Sequence, residues 1–171
     1  YLNNFILSKG HGCLAFYAML FHTNKISKKI YLSFCSKNSI LGGHPDKNKS
    51  KYITASTGSL GHGLPIISGM AFADNLSNLK KKYYIILGDQ ECLEGTTWET
   101  MFILNKFNLN NLTIIIDRNY SRNEAIPLGN LSEKLSGFSK NIFNIDGHNH
   151  NQIYTALNKL NKSKFPKIII A

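Results

Sequence analysis

Apolar residues follow two rhythms along this 171-residue chain. A period near 3.6 marks helices, and short unbroken apolar runs mark strands buried on both sides. The chain opens in an apolar segment, and "HGCLAFYAMLFH" (11–22) has the helical rhythm. A shorter, weaker helix is expected at about 27–34, then a polar, Gly/Pro-marked loop over 35–52. "GSLGHG" (58–63) reads as a glycine turn. From it a helix runs to about Lys80, with Leu60, Leu64, Ile67, Met70, Ala71 and Ala73 on its apolar side. Pro65 is tolerated there because it falls near the first turn. A strand is expected at Tyr83–Leu87, and a helix at Glu94–Phe107 with Trp98, Met101, Phe102 and Phe107 turned inward. A buried strand (Leu112–Ile116) and the loop "DRNYSRNEAIPLGN" follow. The pattern then gives a short helix (131–138), a strand (142–145), a helix (152–160) and a last strand (167–171). Strands alternating with helices predict an α/β fold: one parallel sheet with helices on both faces. There is no repeat or long linker, so residues 1–171 read as a single domain.

That order directs attention to one edge of the sheet. Ligands of open parallel sheets bind beyond the carboxyl ends of the strands. "GDQECLEGTTWE" (88–99) follows a strand and holds four of the ten acidic residues. Asp89 stands just past one strand, and Asn119 stands thirty residues later, just past the next. One helix fills the gap, so a single βαβ unit brings both to the same edge. A carboxylate and an amide oxygen suit Mg2+ or Ca2+, and a carbonyl near Ser121 would add a third ligand. Mg2+ completes its shell with phosphate oxygens and water, so a metal-bound di- or triphosphate is the ligand such a set expects. The competing reading is structural, with Asp89 capping a helix and Asn119 making a turn; spacing alone leaves the two open.

Other motifs narrow the chemistry. "GSLGHG" is not GxGxxG, and no GxxxxGK[ST] occurs, which argues against a Rossmann site and a P-loop. His11 lies at a helix start, where an anion is favoured; His44 and His62 lie in glycine-framed loops. His148 and His150 in "DGHNH" read as turn residues, and His22 as a helix-end residue. Of the acids, Glu91 and Glu99 need only a solvated or capping role, while Glu94 starts the helix.

The net charge of +10 raises the question of nucleic acid, but only Arg118 and Arg122 are arginines among twenty basic residues. Scattered lysines without aromatic interleaving read as solvated faces, so neither a nucleic-acid nor a membrane partner is expected. No apolar run approaches the ~20 residues of a membrane span. Cys13, Cys35 and Cys92 form no CxxC, which fits a reducing, cytoplasmic setting, with Cys92 a packing residue. The chain starts at Tyr1 and stops at "KIIIA", so a piece of a longer protein, lacking both flanks, is expected.

"LSKGHG", "GGHPD", "ASTGSLGHGL", "GDQECLEGTTWE" and "NLTIIIDRN", in this order, with "IDGHN" near the end, resemble the N-terminal, diphosphate-binding part of transketolase. The likeness is nearest to the split form, in which this part is a separate subunit. The resemblance implies thiamin diphosphate with Mg2+ (Ca2+ as the alternative cation), and transfer of a two-carbon ketol unit from a ketose phosphate to an aldose phosphate in pentose phosphate metabolism. It implies metal ligation by Asp89, Asn119 and the Ser121 carbonyl. It places Gly58, Gly88 and the Gln90 N–H at the diphosphate, and Leu60 against the cofactor rings. It gives His11 contacts to diphosphate and substrate, His44 contacts to the donor sugar, and Glu94 a place between two active sites. It also implies a pyrimidine-binding C-terminal subunit or domain, in a dimer or heterotetramer, and hence no turnover by this chain alone. Two alternatives stand beside it: another thiamin-diphosphate enzyme, such as a 2-oxo-acid dehydrogenase subunit or an unusual-sugar ketol transferase, and a non-catalytic remnant. The chain departs from the family's GDG motif at Gln90, which threatens strain if the position needs positive φ.

Overall fold

The computed structural model describes residues 2–119, 126–159 and 164–171. Five parallel strands form one sheet: β1 (Phe5–Leu7), β2 (Tyr83–Gly88), β3 (Leu112–Asp117), β4 (Ile142–Asn144) and β5 (Lys167–Ile170), in the order β1-β2-β3-β5-β4. The helices are α1 (Cys13–His22), α2 (Lys28–Leu32), α3 (Gly63–Leu76), α4 (Gly95–Phe107), α5 (Leu131–Leu135) and α6 (His150–Asn158).

Strand alternation divides the core in two. Ile6, Ile85, Ile114 and Ile168 stand in register across four strands and face α3, α4 and α5, whose Leu64, Ile67, Met101, Leu104 and Leu135 are fully buried. Their neighbours Leu7 and Ile86 turn the other way and meet Phe16, Tyr17 and Leu20 of α1. Helices therefore cover both faces, as a parallel sheet requires.

Several boundaries and faces differ from the periodic reading. β1 is an edge strand of three residues, too short to show a rhythm. α3 begins at Gly63 because positive φ at Gly58 and Gly61 breaks the helix before it, and it ends at Leu76 rather than Lys80. Leu60 is thus in the turn and Ala73 faces solvent. On α4 the buried stripe is Thr97, Thr100, Met101 and Leu104, while Phe102 and Phe107 are 67% and 47% exposed. One residue is about 100° of helical rotation, so burying Met101 turns Phe102 outward. α5 is shorter than expected, α6 starts two residues earlier, and Leu160 lies outside the described residues.

Lys167 opens β5 yet is buried. Its Nζ donates to the carbonyls of Ala156, Leu157 and Lys159, so the ammonium caps the end of α6 instead of reaching solvent.

Candidate functional site

The carboxyl edge collects the turns that follow β1, β2 and β3. β2 and β3 run in register to Gly88↔Asp117, which brings Asp89 beside Arg118 and Asn119. Asp89 is 2% exposed, and its Oδ2 accepts from the Asn119 backbone N–H at 3.0 Å. The Arg118 guanidinium lies 3.5 Å from the same oxygen, with both side chains buried. From β1, the Lys9 stem crosses Gly88 and its Nζ donates to Asp117 Oδ2 at 2.6 Å and to Asn119 Oδ1 at 3.3 Å. Asp89 is no helix cap in this arrangement; its carboxylate is bonded across the βαβ unit.

A second group converges beside it. A Cβ on Gly10 would lie 2.9 Å from both the Gly58 nitrogen and His44 Cδ2, and one on Gly58 would lie 3.0 Å from His44 Cδ2. Gly58 has φ +138°, so a side chain there would be strained as well as crowded. The His44 ring thus rests on two backbone segments that admit no side chain. Its loop is fixed from below: Tyr17 Oη donates to the carbonyls of Gly42 and His44, and Cys13 Sγ to that of Gly43. Burial, with Cys13 the next cause, raises the Tyr17 pKa and keeps this donor protonated.

Glu91 joins the turns. It is 1% exposed and accepts from Ser8 Oγ at 2.5 Å, the Gly61 N–H at 3.0 Å and the Gly88 N–H at 2.9 Å. One buried carboxylate therefore ties together the turns after β1 and β2 and the turn before α3. The expectation of a solvated or merely capping Glu91 is corrected: three donors from separate segments satisfy the carboxylate inside the protein, at the place where a charge is otherwise costly. Ser8, Lys9, Asp117 and Arg118 were likewise missed as members of this edge. The signal for Ser8 and Lys9 was their position just after an apolar triplet.

The remaining expected residues fall as follows. His11 and His62 are exposed, and the side chain of Leu60 is 36% exposed. Glu94 is the extended residue before α4, in contact range of Gly61. Ser121 lies outside the described residues. Gln90 is half-buried, and the non-glycine residues with positive φ are Asn24, Cys35, Asn78 and Asn108 among the described residues. Gln90 therefore carries none of the backbone strain that its replacement of glycine threatened. Glu99 is exposed as expected, and His148 sits in a turn whose backbone N–H donates to Asp146. Cys92 is buried, its pKa pushed up to about 12 by burial and then by Glu91 and Asp89, so it is a packing thiol and no nucleophile. No helix among the described residues is long and apolar enough to cross a membrane.

The donor chemistry fits a hard cation held with an anion. Among the described residues no three His, Cys, Asp or Glu side chains converge as a metal site. A cation at Asp89 would take its other oxygens from the Asn119 amide, backbone carbonyls and its ligand. Thr57 Oγ1, next to Gly58, is buried without a hydrogen-bond partner among the described residues.

A parallel sheet with buried oxygen donors beyond adjacent strands, framed by side-chain-free turns, is the architecture in which ligands are bound at the carboxyl edge. The family model described as "Transketolase, thiamine diphosphate binding domain" matches residues 2–171, and the chain belongs to that family. It is 31% identical over 172 residues to one subunit of the apulose-4-phosphate transketolase of Actinobacillus succinogenes, covering 98% of this chain and 62% of that protein. It is 31% identical over 164 residues to the 6-deoxy-6-sulfo-D-fructose transketolase subunit SqwG of Clostridium sp. (strain MSTE9), covering 93% of this chain and 60% of that one. Both names describe one subunit of an enzyme, in keeping with the resemblance to the split form, and the chain spans under two thirds of either. The solved transketolase of Campylobacter jejuni superposes with a TM-score of 0.86 at 26% identity, over 99% of this chain and 29% of that one.

Proposed function

We propose that this chain is the diphosphate- and metal-binding part of a thiamin-diphosphate transketolase that moves a two-carbon ketol unit from a ketose phosphate to an aldose phosphate. The observation that carries the reading is the buried Asp89 carboxylate beside Asn119, at the joined ends of β2 and β3, with Arg118 against the carboxylate and Lys9 on the Asn119 amide.

On this reading Asp89, the Asn119 amide oxygen and the Ser121 carbonyl hold Mg2+, with Ca2+ the alternative. The Gln90 N–H and the turns at Gly88 and Gly58 face the diphosphate, the Gly88 N–H itself being held by Glu91, and Lys9 balances the ligand's charge. Leu60 offers its exposed side chain to the cofactor rings. The bound cofactor supplies a carbon nucleophile and an electron sink for breaking the ketose carbon–carbon bond. His11 and His44 bind and orient the sugar hydroxyls and exchange their protons, a task suited to imidazole near neutral pH. Glu94 meets the neighbouring subunit. The 171 residues act as one domain within a dimer or heterotetramer, with the pyrimidine-binding part supplied by a C-terminal subunit or domain.

Calorimetry with thiamin diphosphate and Mg2+, on the chain together with its pyrimidine-binding partner, tests the reading. Binding that requires the metal and is lost in Asp89→Ala is the expected result. Metal-independent binding, or an Asp89→Ala variant that binds normally, would sink it. Ketol transfer by the isolated chain would overturn the need for a partner.

A further inference from the structure

Acidic side chains are confined to one end of the strands among the residues that line the two edges of the sheet, where Lys9 and Arg118 pair with them. Asp89, Glu91, Glu94 and Asp117 stand at the carboxyl edge. At the opposite edge, where β2, β3 and β5 begin, a cavity of about 580 Å³ is lined by Lys80, Lys81, Lys82, Lys159 and Lys167 and, among the described residues, by no carboxylate. The six residues of β2 separate the two edges by roughly 20 Å, at ~3.3 Å per residue.

Part of this lysine cluster has a structural explanation. Lys167 caps α6, and Lys81 pairs with Asp74 at 3.1 Å. Lys80, Lys82 and Lys159 have no acidic partner among the described residues, although the Lys159 ammonium lies over the Phe143 ring, 4.9 Å from its centre, at the flank of the cavity. Lys82 and Lys159 lie close enough to Lys167 to depress its ammonium pKa, behind burial as the larger cause. Like charges gathered around a concavity raise its potential and draw anions into it. Asparagines also line the cavity, among them Asn75 and Asn78, whose amides can donate.

We propose that this amino-edge cavity binds a small, multiply charged phosphate ligand, with Lys80, Lys82 and Lys159 as its charge contacts. The volume falls in the usual small-molecule range of about 300–1,000 Å³. Lysine serves as a point charge for phosphate, and the site's amides can complete the shell. A nucleic-acid strand is the poorer occupant, because among the described residues the lining holds one aromatic, Tyr84, and no arginine. The inference is independent of the carboxyl-edge site and of the function proposed for it.

The test is a heteronuclear NMR titration of the 171-residue chain with sodium tripolyphosphate at constant ionic strength. Saturable shifts are expected at the amides of Lys82, Tyr84, Lys159 and Lys167. The triple variant Lys80→Gln, Lys82→Gln, Lys159→Gln should weaken binding about tenfold. All three side chains are exposed, so the fold is retained. A control triple of the exposed Lys28, Lys29 and Lys106 to Gln removes the same charge elsewhere and should change affinity less than twofold. Equal losses in both triples would overturn the proposal, as would shifts confined to Gly58–Gly61 and Gly88–Asp89. A short single-stranded RNA that binds this edge more tightly than tripolyphosphate would overturn the small-ligand assignment.

Discussion

Replacing Glu91 tests how the carboxyl edge is built. Its carboxylate accepts three bonds, from Ser8 Oγ, Gly61 N–H and Gly88 N–H, and it is 1% exposed. Hydrogen bonds to a charged group contribute about 1.5–3 kcal/mol each, and a buried donor left unpaired costs roughly 1–3 kcal/mol. Simple addition for Glu91→Ala would exceed what single substitutions usually show, because water and relaxed turns recover part of the loss; about 3–5 kcal/mol is expected. Glu91→Gln keeps the shape and one oxygen but points an NH2 at a backbone N–H. It should cost about 1.5–3 kcal/mol, a fall in Tm of roughly 4–10 °C for a domain of this size. Urea unfolding followed by the fluorescence of Trp98, the single tryptophan, gives the values. The exposed Glu99→Ala is the reference and should stay within about 0.5 kcal/mol. If Glu91→Gln unfolds at the same urea concentration as Glu99→Ala, Glu91 does not tie these turns together.

Three further expectations follow from neighbouring features. On the proposed reading Arg118 competes with a cation for Asp89, so Arg118→Gln should tighten Mn2+ binding without diphosphate several-fold in calorimetry; unchanged or weaker binding refutes the competition. Burial, followed by the bond to Asp74, raises the Tyr83 pKa from 10.0 to about 12. The folded state therefore holds a proton that the unfolded state releases between those values, so this contribution is full below 10.0 and is lost as pH rises toward 12. Tyr83→Phe should flatten the alkaline decline of Tm in that window, and an unchanged slope counts against the shift. On α4, Met101→Ala should cost about 2–5 kcal/mol and Phe102→Ser under about 1 kcal/mol by urea unfolding, and the reverse order would restore the inward Phe102 of the periodic reading.

What was legible in the chain, and what was not, divides by physical range. The parallel α/β order and the βαβ unit carrying Asp89 and Asn119 could be read because strand and helix rhythms are local and the crossover geometry is restricted. β1 could not, since three apolar residues have no period, and with it went the placement of Ser8 and Lys9. Phe102 misled because an apolar residue is equally apolar on either side of a helix, and only the packing of Met101 decides the face. Glu91 was undervalued for a related reason. A carboxylate beside Asp89 and Glu94 looks like one more solvated acid until its three donors, 30 and 83 residues away and next door, are folded onto it. Acids clustered after a strand thus do two different jobs that sequence spacing cannot separate. On the proposed reading Asp89 offers an oxygen to a cation at the carboxyl edge, and Glu91 is spent internally to hold the turns that shape that edge. The difference lies in long-range donors, and it makes the glutamate's substitution a test of framework and the aspartate's a test of ligand binding.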